Sequence, residues 1–289
     1  MSVFVHGDNI AKKENDPETT PKQHKLLKEI RREYNKWKSA NLKLKGPFLD
    51  KNDRESSIIG KRVELMNAYK DFIDQKVYAE GFDSRSNLHS SVLEEFVYYL
   101  FKDMVAEISA HALIGKSHAY KDIFYQSNSY QSMISQPNFM IEKKDHDFVI
   151  GVSVEAKFRC EGEKKVQTEE LQIPAIAIEC KTYLDKTMLE GASNAASQLS
   201  VVNPNAIYIV VAERLKLTDE VNLKKYKVNQ IYILRKMKNT DRKYRLMPDY
   251  QNNPIYADVV EHLFNTVRNH LTTEWNGSNS FGLERGYLI

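Results

Sequence analysis

The segment DFVIGVSVEAKFRC, residues 147–160, places Phe148, Ile150, Val152, Val154, Ala156, Phe158 and Cys160 on one face. Asp147, Val149, Gly151, Ser153, Glu155, Lys157 and Arg159 fall on the other. Strict period-two alternation of this length is incompatible with a helix and predicts a half-buried strand. A charged turn, EGEKK at 161–165, follows, and then a second apolar run ending in QIPAIAIECKTYL. Two strands joined by so short a turn form an antiparallel hairpin. Folding it about Glu163 sets Asp147 directly across from Glu179, where opposed Cβ atoms lie about 4.5–5.5 Å apart. Lys181, two residues further on, emerges on the same face as Glu179. A slip of one residue would turn Glu179 to the opposite face, so the register carries the whole inference.

The surroundings alternate between helix and strand. Residues 1–20 are polar and unpatterned and read as a loose, flexible tail. TTPKQHKLLKEIRREYNKWKSANL then opens with a helix start: Thr20 as cap, Pro21 in the first turn and Gln23 closing a capping box. Leu26, Leu27, Ile30, Tyr34 and Trp37 form its apolar face. Residues 21–45 carry nine Lys or Arg against two Glu, a solvated face or an electrostatic footprint for phosphates. A helix follows at about 60–80, and a mostly buried one at 86–108, with Glu94 and Glu95 among apolar neighbours. Residues 117–146 read as a long polar and aromatic connection with a short strand near 138–142, and a loop of that length is usually functional. A helix at 186–201 and strands at 206–212 and 229–236 complete the pattern. The expected class is α/β, a mixed sheet flanked by helices. Its parts are a basic helical region (21–85) contacting DNA, a core (86–240) and a C-terminal extension (241–289).

With 289 residues the chain can bury a full core. No apolar run approaches the roughly 20 residues that span a bilayer, so no membrane role is expected. Cys160 and Cys180 give neither a disulfide framework nor zinc spacing, and a reducing cytoplasmic setting is the default expectation. A net charge of +3 says little about partners.

An acidic residue two positions before a lysine occurs six times: Asp74/Lys76, Glu142/Lys144, Glu155/Lys157, Glu163/Lys165, Glu179/Lys181 and Asp241/Lys243. Roughly four are expected by chance, so context must discriminate. Glu155/Lys157 also lies on a strand, but along a straight strand Glu155 sits about 26 Å from Asp147. Glu155 would need another acidic partner, from the 117–146 loop, and no strong candidate stands there, so Glu179/Lys181 is the best site by geometry. A surface salt bridge would use the same residues; phosphodiester hydrolysis gives them a chemistry. A hard cation such as Mg²⁺ takes oxygen ligands, here Asp147, Glu179 and the backbone carbonyl of Cys180, with Glu94 able to extend the shell. Lys181 would orient the attacking water or stabilise the anionic transition state.

The motifs KDHDFVIG, AIAIECKTYL and LEEFVYYLF together resemble the PD-(D/E)XK nuclease superfamily over roughly residues 86–236. The resemblance implies a core of helix, three antiparallel strands, helix and strand. Asp147 would be its first acidic residue, Glu179 and Lys181 its E-x-K pair, and Glu94 or Glu95 its helical carboxylate. His146 stands where the superfamily has Pro, which leaves Asp145 open as a ligand. More narrowly, LEEFVYYLFKD, KDHDFVIG and AIECKTYLD are similar to restriction endonuclease subunits of the BbvCI type. That similarity implies a Type II enzyme acting on double-stranded DNA, with one active site per chain and a second, related subunit as partner. A palindromic target would instead suit a homodimer. Base reading is expected from 117–146, the basic helix and the C-terminal extension. A repair or resolvase nuclease on the same core, or a catalytically silent DNA-binding subunit, are the competing readings.

Overall fold

Five strands form one mixed sheet, in the spatial order β1 (Leu113–Tyr125), β2 (Phe139–Phe158), β3 (Gln167–Leu184), β4 (Ile207–Leu215) and β5 (Gln230–Ile233). The first three are antiparallel, whereas β4 and β5 run parallel to β3. Residues 3–82, 88–239, 250 and 252–275 are described, in a computed structural model. The pair Asp241/Lys243 and most of the C-terminal extension lie outside them.

AIAIE on β3 and IYIVVA on β4 read as continuous apolar runs because both faces of the parallel part are covered. Phe148, Ile150, Ile176, Ile178, Ile209 and Val211 pack into one core with α5 (Ser91–Ile108), α3 (Glu55–Ile73) and α8 (Ala257–Thr272). Val149, Ala177, Tyr208, Val210 and Ala212 face α7 (Lys186–Val202), whose Ala192, Ala195 and Ala196 let it lie close to the sheet. Beyond α5 lies α2 (Pro21–Lys43). Its capping box is formed by Thr20 and Gln23, and Leu26, Leu27, Ile30, Tyr34 and Trp37 are all buried. The helix expected at 60–80 begins earlier, as α3, and ends at Ile73; a single turn, α4 (Lys76–Ala79), follows.

Two readings of the sequence are corrected. The expected loose tail contains α1 (Val5–Glu14), with Val5, His6, Gly7 and Ile10 buried. Its anchor is Glu95, which accepts the backbone N–H groups of His6 (3.0 Å) and Gly7 (3.2 Å). A polar segment docks here because a buried carboxylate, invisible to local pattern, meets its amides. The expected loop at 117–146 is instead the outer half of β1, the short helix α6 (Tyr130–Ser135) and the first half of β2. Its strands carry polar residues on exposed positions, which masks the alternation.

β2 also departs from a straight strand. Twenty residues would extend about 66 Å, yet the rings of Phe139 and Phe158, at its two ends, are 4.2 Å apart. The strand doubles back, with a bulge between Ile150 and Gly151. A Cβ on Gly151 would lie 2.2 Å from the Ile173 carbonyl oxygen, so only glycine permits the approach. Beyond the bulge Gly151 pairs with Pro174 and Phe158 with Gln167; before it Phe148 pairs with Ile178. The bulge therefore supplies the one-residue shift that brings Asp147 toward Glu179. The expected register holds as far as Phe148↔Ile178, the last pair before the two strands diverge, although the outer hairpin turns half a residue earlier than Glu163.

Candidate active site

Pairing between β2 and β3 ends at Phe148↔Ile178. From there β2 continues with β1, Ser117 opposite His146, while β3 continues with β4, Cys180 opposite Val211. Asp147 and Glu179 stand in the crotch of this fork. The Cys180 N–H donates to Asp147 Oδ2 at 2.9 Å, so a side chain replaces the strand that has departed.

Lys181 Nζ lies 2.6 Å from Glu179 Oε1 and 3.5 Å from Asp147 Oδ2, bridging both carboxylates. Burial pulls its pKa down, but the charges of Asp147 and Glu179 outweigh burial and the net shift is upward. It is an ammonium at neutral pH, a donor and not a base. Asp147 is raised by burial and then by the charge of Glu179. Tyr208, on β4, donates its hydroxyl to Glu179 Oε2 at 3.0 Å. The His146 ring packs edge-on against Tyr208, centroids 5.7 Å apart, and burial lowers its pKa.

The two neighbouring glutamates of α5 part company. Glu95 is fully buried and accepts from Tyr34 (3.0 Å) and Tyr99 (2.6 Å) as well as from α1. Glu94 points to the fork. Its Oε2 is buried without a hydrogen-bond partner, and Lys116 Nζ is 3.6 Å away. Burial, then the charge of Asp147, pushes it up to about 7. Lys116 reaches it from the irregularity between Gly115 and Ser117, where Gly115 has φ +117°. Asp145 pairs with His118 on an exposed surface instead. Glu155 and Lys157 pair with each other at 2.7 Å, both well exposed, and Glu155 opposes another acid, Glu170.

Sequence reasoning misses Lys116 and Tyr208. The signal for Tyr208, a lone phenol within IYIVVA, reads as strand packing. It also misses the buried charges closing the far end of β4. There Glu213 meets Lys70 at 2.9 Å and Arg235 at 3.0 Å, one residue past Ala212, the partner of Lys181.

Among the described residues, no three His, Cys, Asp or Glu side chains converge as a ready metal cluster. The expected set of Asp147, Glu179, Glu94 and the Cys180 carbonyl is thus not drawn together as one cage. The donors nevertheless suit a small hard cation. They are all oxygen, Glu94 Oε2 is unpartnered, and Mg²⁺ needs only one or two carboxylates beside water and substrate oxygens.

A helix, three antiparallel strands, a helix and a parallel strand, with an acid and an E-x-K pair at the strand fork, define a restriction-endonuclease-like α/β fold. A solved structure described as the native BbvCI A2B2 tetramer at low resolution shares it. The TM-score is 0.69 at 14% identity, covering 95% of this chain and 99% of that one. No curated protein matches the chain. Residues 85–288 match the family model of the Bpu10I restriction endonuclease. The chain belongs to that family and is a Type II restriction endonuclease subunit. Among the described residues, no helix is long and apolar enough to cross a membrane.

Proposed function

We propose that this chain is an Mg²⁺-dependent subunit that cleaves double-stranded DNA at a specific sequence, with Asp147, Glu179, Lys181 and Glu94 as its active site. The observation that carries the reading is the Lys181 ammonium bridging Asp147 and Glu179 at the fork. Asp147, Glu179 and the Cys180 carbonyl would hold the ion, with Glu94 completing its surroundings. When bound, Mg²⁺ would polarise a phosphoryl oxygen and make its water more acidic.

The chain's own groups have separable tasks. Lys181, held charged, donates to the attacking water or to the phosphoryl oxygens as negative charge builds there. The Cys180 N–H and Tyr208 hydroxyl fix the rotamers of Asp147 and Glu179, so the carboxylates need not reorganise during reaction. The exposed lysines and arginines of α2 would contact phosphates, because cations on one helix face neutralise the DNA backbone. A second, related subunit would cut the other strand, a reading supported by the A2B2 assembly named for the BbvCI structure. The two free thiols accord with a reducing, cytoplasmic setting.

The test is cleavage of supercoiled DNA in Mg²⁺, by the chain alone and supplemented with extract of its host. Discrete nicks or fragments are expected, lost in Glu179→Ala and Lys181→Ala and retained in Glu155→Ala. Binding without cleavage in both settings would favour a silent subunit. Cleavage that ignores sequence would favour a repair-type nuclease.

A further inference from the structure

β1 and β2 do not keep step beside the fork. Gly115 pairs with Val149 and Ser117 with His146, so Lys116 alone spans two residues of β2, Asp147 and Phe148. A bulge re-aims a side chain, and bulges gather beside active sites. The residue before it, Gly115, has φ +117°, a backbone conformation that favours glycine. Lys116 shares its face of β1 with Ile114, which packs against the core that includes α5. Its ammonium thereby reaches Glu94 on α5, 3.6 Å from Oε2.

That pair is lopsided. The Lys116 side chain is 40% exposed and that of Glu94 only 9%, so the ammonium lies on the solvent side of the carboxylate. Among the described residues Glu94 is the only ion-pair partner of Lys116, whereas Lys181 bridges Asp147 and Glu179. An ion pair this long and open contributes little to stability, too little to account for a bulge and a glycine of positive φ. Charge gives the lysine another use. With Glu94 turned to a divalent cation, that ion, Asp147, Glu179, Glu94, Lys181, Lys116 and one phosphodiester sum to zero charge. Without Lys116 a net negative charge remains where a negative substrate must bind. An ammonium on a flexible stem carries three donors and is a compact cation for phosphate oxygens.

We propose that Lys116 donates to a phosphate of the bound DNA strand on the Glu94 side of the fork, as a second substrate cation beside Lys181. The contact rests on the proposed reading of this fork as the place where the DNA backbone is held for cleavage.

Binding of the full chain to a labelled duplex spanning a mapped cleavage site, in Mg²⁺ and over a range of salt concentrations, tests the contact. It is measured in a Glu94→Gln background, which is expected not to cut and in which Lys116 has no carboxylate to neutralise. There Lys116→Met should weaken binding about tenfold, as loss of one charged hydrogen bond does. It should also flatten the slope of log K against log salt by about 0.9, because one counterion fewer is released. Lys116→Arg keeps the charge and still donates to phosphate oxygens, so it should restore the slope. Circular dichroism establishes that the variants fold. Affinity and slope indifferent to Lys116→Met would overturn the proposal and leave the lysine as a neutraliser of Glu94. Weaker binding with an unchanged slope would also overturn it, since no phosphate contact would have been lost. A wild type that binds DNA but cuts nothing, alone or with host extract, refutes cleavage instead; the slopes, read on a mixed-sequence duplex, still decide whether Lys116 holds a phosphate.

Discussion

Glu95 should be worth more to the fold than any other carboxylate near the site, although its neighbour Glu94 is the one aimed at the chemistry. Its two oxygens accept four hydrogen bonds, from the His6 and Gly7 amides and the Tyr34 and Tyr99 hydroxyls, at 2.6–3.2 Å. Glu95→Ala leaves four donors facing a cavity. Each unsatisfied buried donor costs about 1–3 kcal/mol. Even if the amides at the start of α1 regain water, about 4 kcal/mol is lost. That is a large part of the 5–15 kcal/mol typical of a native protein. Glu95→Gln keeps the volume and one acceptor oxygen, but turns an NH₂ toward two donors, so about 2 kcal/mol is expected. Trp37 reports the event, since its ring stacks on Tyr69 and meets Tyr99 edge-on. In a Trp275→Phe background it is the only tryptophan. Urea unfolding followed by its fluorescence should rank wild type above Gln above Ala. An Ala variant within about 1 kcal/mol of wild type would refute the claim that this carboxylate holds α1 and α2 to α5.

Three further outcomes are expected. Tyr208→Phe removes the bond to Glu179 Oε2, worth about 1.5 kcal/mol to a charged acceptor, so kcat for cleavage should fall about tenfold; an unchanged kcat would show that the phenol only packs. Glu94 binds its proton more tightly folded than unfolded, so its contribution to stability is fully present below the ordinary value of 4.5 and is lost as pH rises through about 7. In metal-free buffer Glu94 accounts for about 3 kcal/mol lost across that window, and Glu94→Gln should remove that share, leaving the smaller slope of Asp147. That variant should outlast the wild type at pH 8 while failing to cut DNA, and an unaltered pH slope would sink the argument. Gly151→Ala forces a Cβ into the Ile173 carbonyl and should lower stability by about 3 kcal/mol, with cleavage impaired because the bulge sets the register. A thermal midpoint equal to wild type would show that the bulge tolerates a side chain.

Much of this protein is written locally. Thr20 and Gln23 mark a helix start because capping is settled within four residues, and the structure shows that box closed. Ile176, Ile178, Ile209 and Val211 declare buried strands for the same reason: burial on both faces leaves no polar position in the run. The E-x-K pair at Glu179 stood out from five similar pairs through Asp147, which a short hairpin turn sets toward it; Glu155 also opposes an acid, Glu170, but on an exposed stretch of strand.

What the sequence by itself determined, then, was the order of elements and the face each residue occupies, because periodicity and capping are properties of neighbouring residues. Contacts between distant residues were decided by the tertiary structure. Nothing near Glu95 in sequence says that it receives the amides of residues 6 and 7, and nothing near Tyr208 says that its hydroxyl meets Glu179. The doubling back of β2 brings together aromatic rings nineteen positions apart, at 139 and 158. Even Val152 and Val154, on the apolar face of the expected half-buried strand, are exposed. Alternation reports that a strand has an apolar side; only the packed chain decides whether anything of its own covers it.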